Sequence, residues 1–324
     1  MSLNTQTRGI APLLNPAKDL MERKDCNSNS WFAICRCESK GHILNFMYHF
    51  MIYPLPSGSL MNVCFSITDE TDKKYYGKDQ FYPMDVTEMG DDTFFIKVPG
   101  GYMGGNLDEM RINAQMEQAA IDVTLKPEGN VLYNGGAGVF AINGITVHQY
   151  SVPKIQTSGK IVFDGETYEF NDGVAWFDRQ WQQADYNISA SANMFRWTWM
   201  DLNLDCGDVI SLWSTQLIGS GEEHAWATIL HADGSQTTAN MTPLTRSQSD
   251  FWKSSVSGQN YPTRWLVEIP EVDAKLEVVA VMKEQEIASK FINKYEAASK
   301  ITGTYKGKPV AGHCYVELLG DFSE

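Results

Sequence analysis

Gly173-Val174-Ala175-Trp176-Phe177-Asp178-Arg179-Gln180-Trp181 is the stretch whose reading decides the fold. Three large aromatics surround an acid, a base and an amide, and a polar run follows, Gln182-Gln183-Ala184-Asp185-Tyr186-Asn187. Read as a β-strand, its side chains alternate between two faces. Trp176, Asp178 and Gln180 then share one face, and Phe177, Arg179 and Trp181 share the other. Asp178 and Arg179 therefore do not pair with each other. Each needs a partner elsewhere in the chain or in a ligand.

Just upstream, Asp164-Gly165 is a strong two-residue hairpin signal, joining Gly159–Phe163 to the segment ending at Phe170. Further back, Ser30–Glu38, the Ser39-Lys40-Gly41 turn and His42–Tyr53 form a hairpin pattern that Pro54 and Pro56 end. Ser59–Asp69 follows as a third strand. Tyr75-Tyr76 and Phe81-Tyr82 sit in less regular sequence. More strands are expected at Thr93–Val98, Met110–Glu117, Ala119–Pro127 and Gly138–Tyr150. Before all of these, Asn15 and Pro16 signal a short helix over Ala17–Lys24. Gly100-Gly101, Gly104-Gly105 and Gly135-Gly136 read as turns and bulges, since no helix pattern follows them to complete a phosphate cradle.

Downstream, the small, polar Tyr186–Asn193 run marks the expected boundary between two modules, 1–186 and 187–324. Beyond it the period-2 pattern resumes. Phe195–Leu204 and Asp208–Ile218 flank the Asp205-Cys206-Gly207 turn; Glu222–His231 and Gln236–Met241 flank another; Tyr261–Ile269 and Lys275–Met282 continue. Lys283–Ser299 carries Ile287, Phe291 and Tyr295 at fourfold spacing, which reads as a helix or as a loop leading into a strand. Ser299–Val310 and Gly312–Leu319 close the chain as two strands. Short strands, turn chemistry between them and almost no helix predict an all-β protein of two consecutive barrels or sandwiches.

The 324 residues carry a net charge of -14 and a pI near 4.9, which argues against nucleic acid or an anionic membrane surface as partner. No apolar run reaches the ~18 residues of a transmembrane helix. Met1–Arg8 lacks the basic start and apolar core of a signal peptide, so the expectation is a cytoplasmic protein, or a secreted or periplasmic one if a leader has been removed. Six irregularly spaced cysteines read as free, buried thiols, and no set of histidines has metal-ligand spacing. No metal or other cofactor is expected. Nor does any Gly-x-Ser-x-Gly elbow or papain-like cysteine supply a nucleophile.

These motifs resemble the two-domain lipocalin-like family that includes carotenoid 1,2-hydratases, kievitone hydratase and AttH-like proteins, with decalin-forming Diels–Alderases as distant relatives. The resemblance rests on Ser30-Trp31-Phe32 with the Gly41 turn, on Phe65–Asp69, and on Tyr150-Ser-Val-Pro153 with Gly159 and the Gly173–Trp181 stretch. It also rests on Tyr295-Glu296 through Gly303 and on Gly312–Gly320, with Leu319 standing where the family often has Thr. It covers roughly residues 30 to 320, and it implies two lipocalin-like β domains with a hydrophobic, often isoprenoid ligand in a cleft where they meet.

Adding water to an alkene needs a carboxylic acid kept protonated by apolar surroundings, π-faces for the cation and a held water. Asp201 shares a strand face with Trp197 and Trp199 and is one catalytic candidate. Asp178 is the other, on its motif. Against these stand a solvated turn position for Asp201 and a structural anchor for Asp178. Trp176, Arg179, Trp181, Trp197, Trp199, His224, Trp226, Tyr315 and Glu317 are the candidate substrate-binding residues. Arg179 is expected either to fix a ligand carbonyl or carboxylate or to form an ion pair with Glu317 or Glu296. The function expected is a cofactor-independent hydratase, or a related acid-catalysed lyase or cyclase, acting on a hydrophobic small molecule. A lipocalin-type carrier and a cofactor-free pericyclase are the alternatives.

Overall fold

The computed structural model describes residues 12–184 and 195–323. The Tyr186–Asn193 run read as a boundary lies outside them. Of the described residues, 12–133 and 137–184 form one compact unit, and 134–136 and 195–323 form the other. The fold is nearly all-β, with two curled antiparallel sheets.

Each unit follows one plan: a meander whose first strand pairs with its last. In the first unit Ser28–Ser39 lies between His42–Leu55 and Glu166–Gln182, within a 13-stranded sheet. In the second, Phe195–Leu204 lies between Val209–Leu217 and Lys308–Leu319, within a nine-stranded sheet. The penultimate strands, Ile145–Phe163 and Lys294–Tyr305, each carry a glycine pressed on a neighbouring strand of the sheet. A Cβ on Gly159 (φ +145°) would stand 2.2 Å from the Asp122 carbonyl oxygen, and one on Gly303 (φ +153°) would stand 2.1 Å from that of Lys275. Only glycine allows such an approach at positive φ.

Alternation splits every long strand between two faces. In the first unit Trp31, Ala33, Cys35, Ala175, Phe177 and Trp181 point into one core; in the second Met200, Leu202, Leu204, Cys314, Val316 and Leu318 point into the other. Each fully buried large apolar side chain contributes about 1.5–3 kcal/mol. The opposite faces hold Trp176 and Asp178 in the first unit, and Trp199, Asp201 and Glu317 in the second, all of them buried too.

Several local expectations change. The helix is one turn, Pro16–Asp19, capped by the Asn15 side chain. His42–Leu55 runs through Pro54, which pairs with Ser59 next to the hairpin turn. The tyrosine-rich region is a full strand, Lys74–Pro83. Gly138–Tyr150 is not one strand: Asn143 (φ 49°) and Gly144 (φ 81°) make a tight turn between Val139–Ile142 and Ile145–Phe163. Of the two readings of Lys283–Ser299, the structure takes the loop leading into a strand rather than the helix. A two-residue strand, Glu286–Ile287, and the start of Lys294–Tyr305 occupy the segment, because pairing with Lys308–Leu319 buries Tyr295 and Ala297 in the core. The last turn falls at Lys306-Gly307, inside the expected Ser299–Val310 strand.

All six cysteines are free. Burial pushes the Cys37 thiol up to about 12 and raises those of Cys35 and Cys314 well above the usual thiol range. Among the described residues, no helix is long and apolar enough to cross a membrane.

Candidate active site

In the first unit, Phe32, Asp178 and Ser151 stand side by side on three adjacent strands, with His49 opposite Phe32 on the next. Asp178 accepts hydrogen bonds from Trp176 Nε1 (2.7 Å) and Gln149 Nε2 (2.9 Å), one on each oxygen. The His49 Nε2 atom is 2.7 Å from the Ser30 hydroxyl. Asp178 is thus used as a hydrogen-bond acceptor that ties two strands together.

Arg179 and Trp181 take the other face and are structural. The Arg179 guanidinium spends all five N–H donors within the first unit: on the carbonyls of Asp19, Met21, Ser30 and Gln180 and on Asn29 Oδ1. It also lies over the rings of Trp31 (4.3 Å) and Trp181 (4.9 Å). Neither a ligand role nor an ion pair with Glu317 or Glu296 survives, since no donor is left. Trp181 stacks on His148 and belongs to the hydrophobic core, so it too lines no ligand surface.

The second unit places a row of large side chains straight across its sheet. Cross-strand register aligns Glu296, Glu317, Trp199, Trp213, Trp226 and Asn240 on consecutive strands and one face. The next row holds Ala298, Tyr315, Asp201, Ser211 and Thr228. Trp213 stacks on Trp226 (6.4 Å between centroids) and meets Trp197 edge-on (6.1 Å). Trp199 donates from Nε1 to Ser211 Oγ (3.2 Å).

Asp201 is buried on this face as alternation requires, yet both its oxygens act as acceptors. One takes the backbone N–H of Tyr315 and the other takes Asn203 Nδ2 (2.9 Å). His224 points outward, exposed and 2.9 Å from Glu222, so it is a surface residue rather than part of a lining.

The group with the properties of a proton donor is one sequence reading did not select. Glu296 is fully buried, and neither carboxyl oxygen accepts a hydrogen bond among the described residues. Directly across the ladder stands Glu317, which accepts from Trp197 Nε1 (3.0 Å) and from Lys294 Nζ (3.0 Å). Lys294 Nζ is farther from Glu296, at 3.8 Å. Burial first and the neighbouring Glu317 second hold the Glu296 carboxyl well above the usual carboxylate range, against the opposing pull of Lys294. Lys294, Glu296 and Trp213 were missed. The fourfold spacing of Ile287, Phe291 and Tyr295 leaves helix and strand both open in the sequence, and only a strand sets Lys294 and Glu296 on one face by alternation.

A third cluster, His42, Asp69 and Asp72, brings ligand-type atoms within 4.8 Å of one another. Its bonding is that of a turn: Asp69 Oδ1 accepts the backbone N–H of Thr71 and Asp72, and Oδ2 lies 2.7 Å from His42 Nδ1.

Fold and site together describe an all-β protein with a buried carboxyl pair beside a row of indoles. The AttH-like family model matches residues 57–321, and the chain belongs to that family. It is 27% identical to the dehydratase asqC of Emericella nidulans over 229 residues, 68% of this chain. The match spans 59% of that relative's length. Its fold matches that of kievitone hydratase from Nectria haematococca (TM-score 0.82, 19% identity, 98% of this chain and 97% of the other). It also matches an AttH protein from Nitrosomonas europaea (TM-score 0.80, 22% identity, 98% and 100%).

Proposed function

We propose that this protein is a hydro-lyase that adds water to, or removes it from, a hydrophobic small molecule, with Glu296 as proton donor and Glu317 as its basic partner. The observation that carries this reading is the Glu296 carboxyl itself: fully buried, without a hydrogen-bond donor among the described residues and set beside a second acid. Burying a carboxyl that accepts no hydrogen bond is costly, and such a cost is retained where the chemistry needs it. A relative named as a dehydratase and a fold shared with a hydratase support the same reaction class.

In the hydration direction, the Glu296 carboxyl gives its proton to one alkene carbon and leaves a cation on the other. The faces of Trp199 and Trp213, on the same row, stabilise that charge. A water oxygen bonds to the cation while the Glu317 carboxylate accepts the released proton. Transfer of that proton back to Glu296 across the pair resets the site, and dehydration is the reverse. Acid–base chemistry of this kind calls for no redox cofactor. The row of indoles and the family resemblance favour an alkene of an isoprenoid-like lipophile as substrate.

Incubation with a panel of prenylated alkenes in ¹⁸O- and deuterium-labelled water tests the proposal. Incorporation of both labels, lost in Glu296→Gln, is expected. Binding of the panel without any incorporation would mean a carrier instead.

A further inference from the structure

A pair of carboxyls works as acid and base only if the proton rests on the correct member. We propose that Lys294 and Trp197 are positioning residues that keep Glu317 as the ionised partner and so leave the shared proton on Glu296. The inference deepens the hydro-lyase reading and rests on it for its catalytic meaning, although the proton's location can be measured without any substrate.

The geometry is asymmetric. Two polar donors, Lys294 Nζ and Trp197 Nε1, come within 3.0 Å of Glu317, one on each oxygen. Glu296 accepts neither of them, and the same Lys294 Nζ stands 3.8 Å from it. A charge-assisted donor and an indole N–H both favour the charged form of the acid they touch. With one proton between two carboxyls, one ammonium neutralises the remaining charge. Glu296, Glu317 and Lys294 together are then electrically neutral, as their burial favours.

Other titratable groups on this face lie farther along the sheet. Asp201 and Tyr315 occupy the next row, and Lys300 and His313 the one after it. Asp201 already accepts from Tyr315 N and Asn203 Nδ2, so its carboxylate is committed locally. Lys294 sits two residues before Glu296 on the same strand, which puts both on one face by alternation alone. Lys294 thereby acts through Glu317 rather than on a substrate.

The test is a pH titration of the protonated-carboxyl C=O stretch by infrared difference spectroscopy of the full chain, with ¹³C-labelled glutamate. In the native protein one glutamate band persists at neutral pH; it disappears in Glu296→Gln. The midpoint moves to lower pH in Glu317→Gln, which removes a like charge. In Lys294→Met it moves upward by about one pH unit or more, the scale of one close charge. Trp197→Phe moves it the same way by less, and Lys294→Arg restores it. The opposed shifts keep the test decisive even if one variant fails to fold. A band that survives Glu296→Gln and vanishes in Glu317→Gln overturns the assignment, as does an unmoved midpoint in Lys294→Met. If the bands behave as expected while no alkene takes up label, the reaction class fails and the proton assignment stands.

Discussion

The last strands of the two units carry the same pattern: Gly173-x-x-Trp176-x-Asp178 in one and Gly312-x-x-Tyr315-x-Glu317 in the other. Each acid faces an aromatic on the first strand of its own unit, Phe32 or Trp199. The difference lies on the penultimate strand. Asp178 has the neutral hydroxyl residue Ser151 beside it, whereas Glu317 has Glu296. Asp178, held by Trp176 and Gln149, works as a structural acceptor. Glu317 shares its surroundings with a second carboxyl whose oxygens accept no hydrogen bond among the described residues. The surroundings of a buried acid in a repeated scaffold therefore differ with its cross-strand neighbour.

The largest expected effect separates the two units by activity. Glu296→Gln should lower turnover by about 10²–10⁴-fold, the usual worth of a general acid. Asp178→Asn should leave turnover per folded molecule within a few fold, measured as label uptake from water. Equal losses in both variants would end the comparison.

Stability should divide the units in the opposite sense. Arg179→Met leaves buried carbonyls of the first unit without a donor and is expected to cost roughly 3–5 kcal/mol in denaturant melts. Asp178→Asn should cost about 1–3 kcal/mol, because the amide presents a donor where an N–H already points.

Glu296→Gln, by contrast, should stabilise. The folded-state acid is raised above its ordinary value of 4.5, so the native chain binds more protons than the unfolded chain as pH climbs past that value. Native stability then falls with rising pH through this group until the folded carboxyl itself ionises. The variant's gain should be absent below the ordinary value and should grow towards neutral pH. Thermal melts of both proteins across that range check the sign; a loss of stability at neutral pH would contradict it.

The smallest effect concerns the thiols. Cys206 is exposed, while burial raises Cys26, Cys35, Cys37 and Cys314. A thiol reagent should titrate one cysteine rapidly in the native protein, and Cys206→Ser should remove that phase.

Period-2 patterning and turn dipeptides were enough to read most strands, the Asp164-Gly165 and Asp205-Cys206-Gly207 hairpins and the two faces of Gly173–Trp181. These features are local: a strand's alternation and a turn's φ values are written in neighbouring residues. Asn143-Gly144 carries the same kind of signal inside the longer Gly138–Tyr150 segment. At the site, alternation correctly set Trp197, Trp199 and Asp201 on one face, and Tyr315 and Glu317 on another strand's matching face. It had no means of choosing among the acids. Lys283–Ser299 has spacing compatible with helix, and only pairing with Lys308–Leu319 turns Lys294 and Glu296 onto the face that holds Glu317. Whether Asp178, Asp201 or Glu296 can keep a proton depends on which donors reach each oxygen and which charge lies across the ladder. The deciding partners, Gln149 for Asp178, Tyr315 for Asp201 and Glu317 for Glu296, are remote in sequence, and tertiary structure alone brings them together.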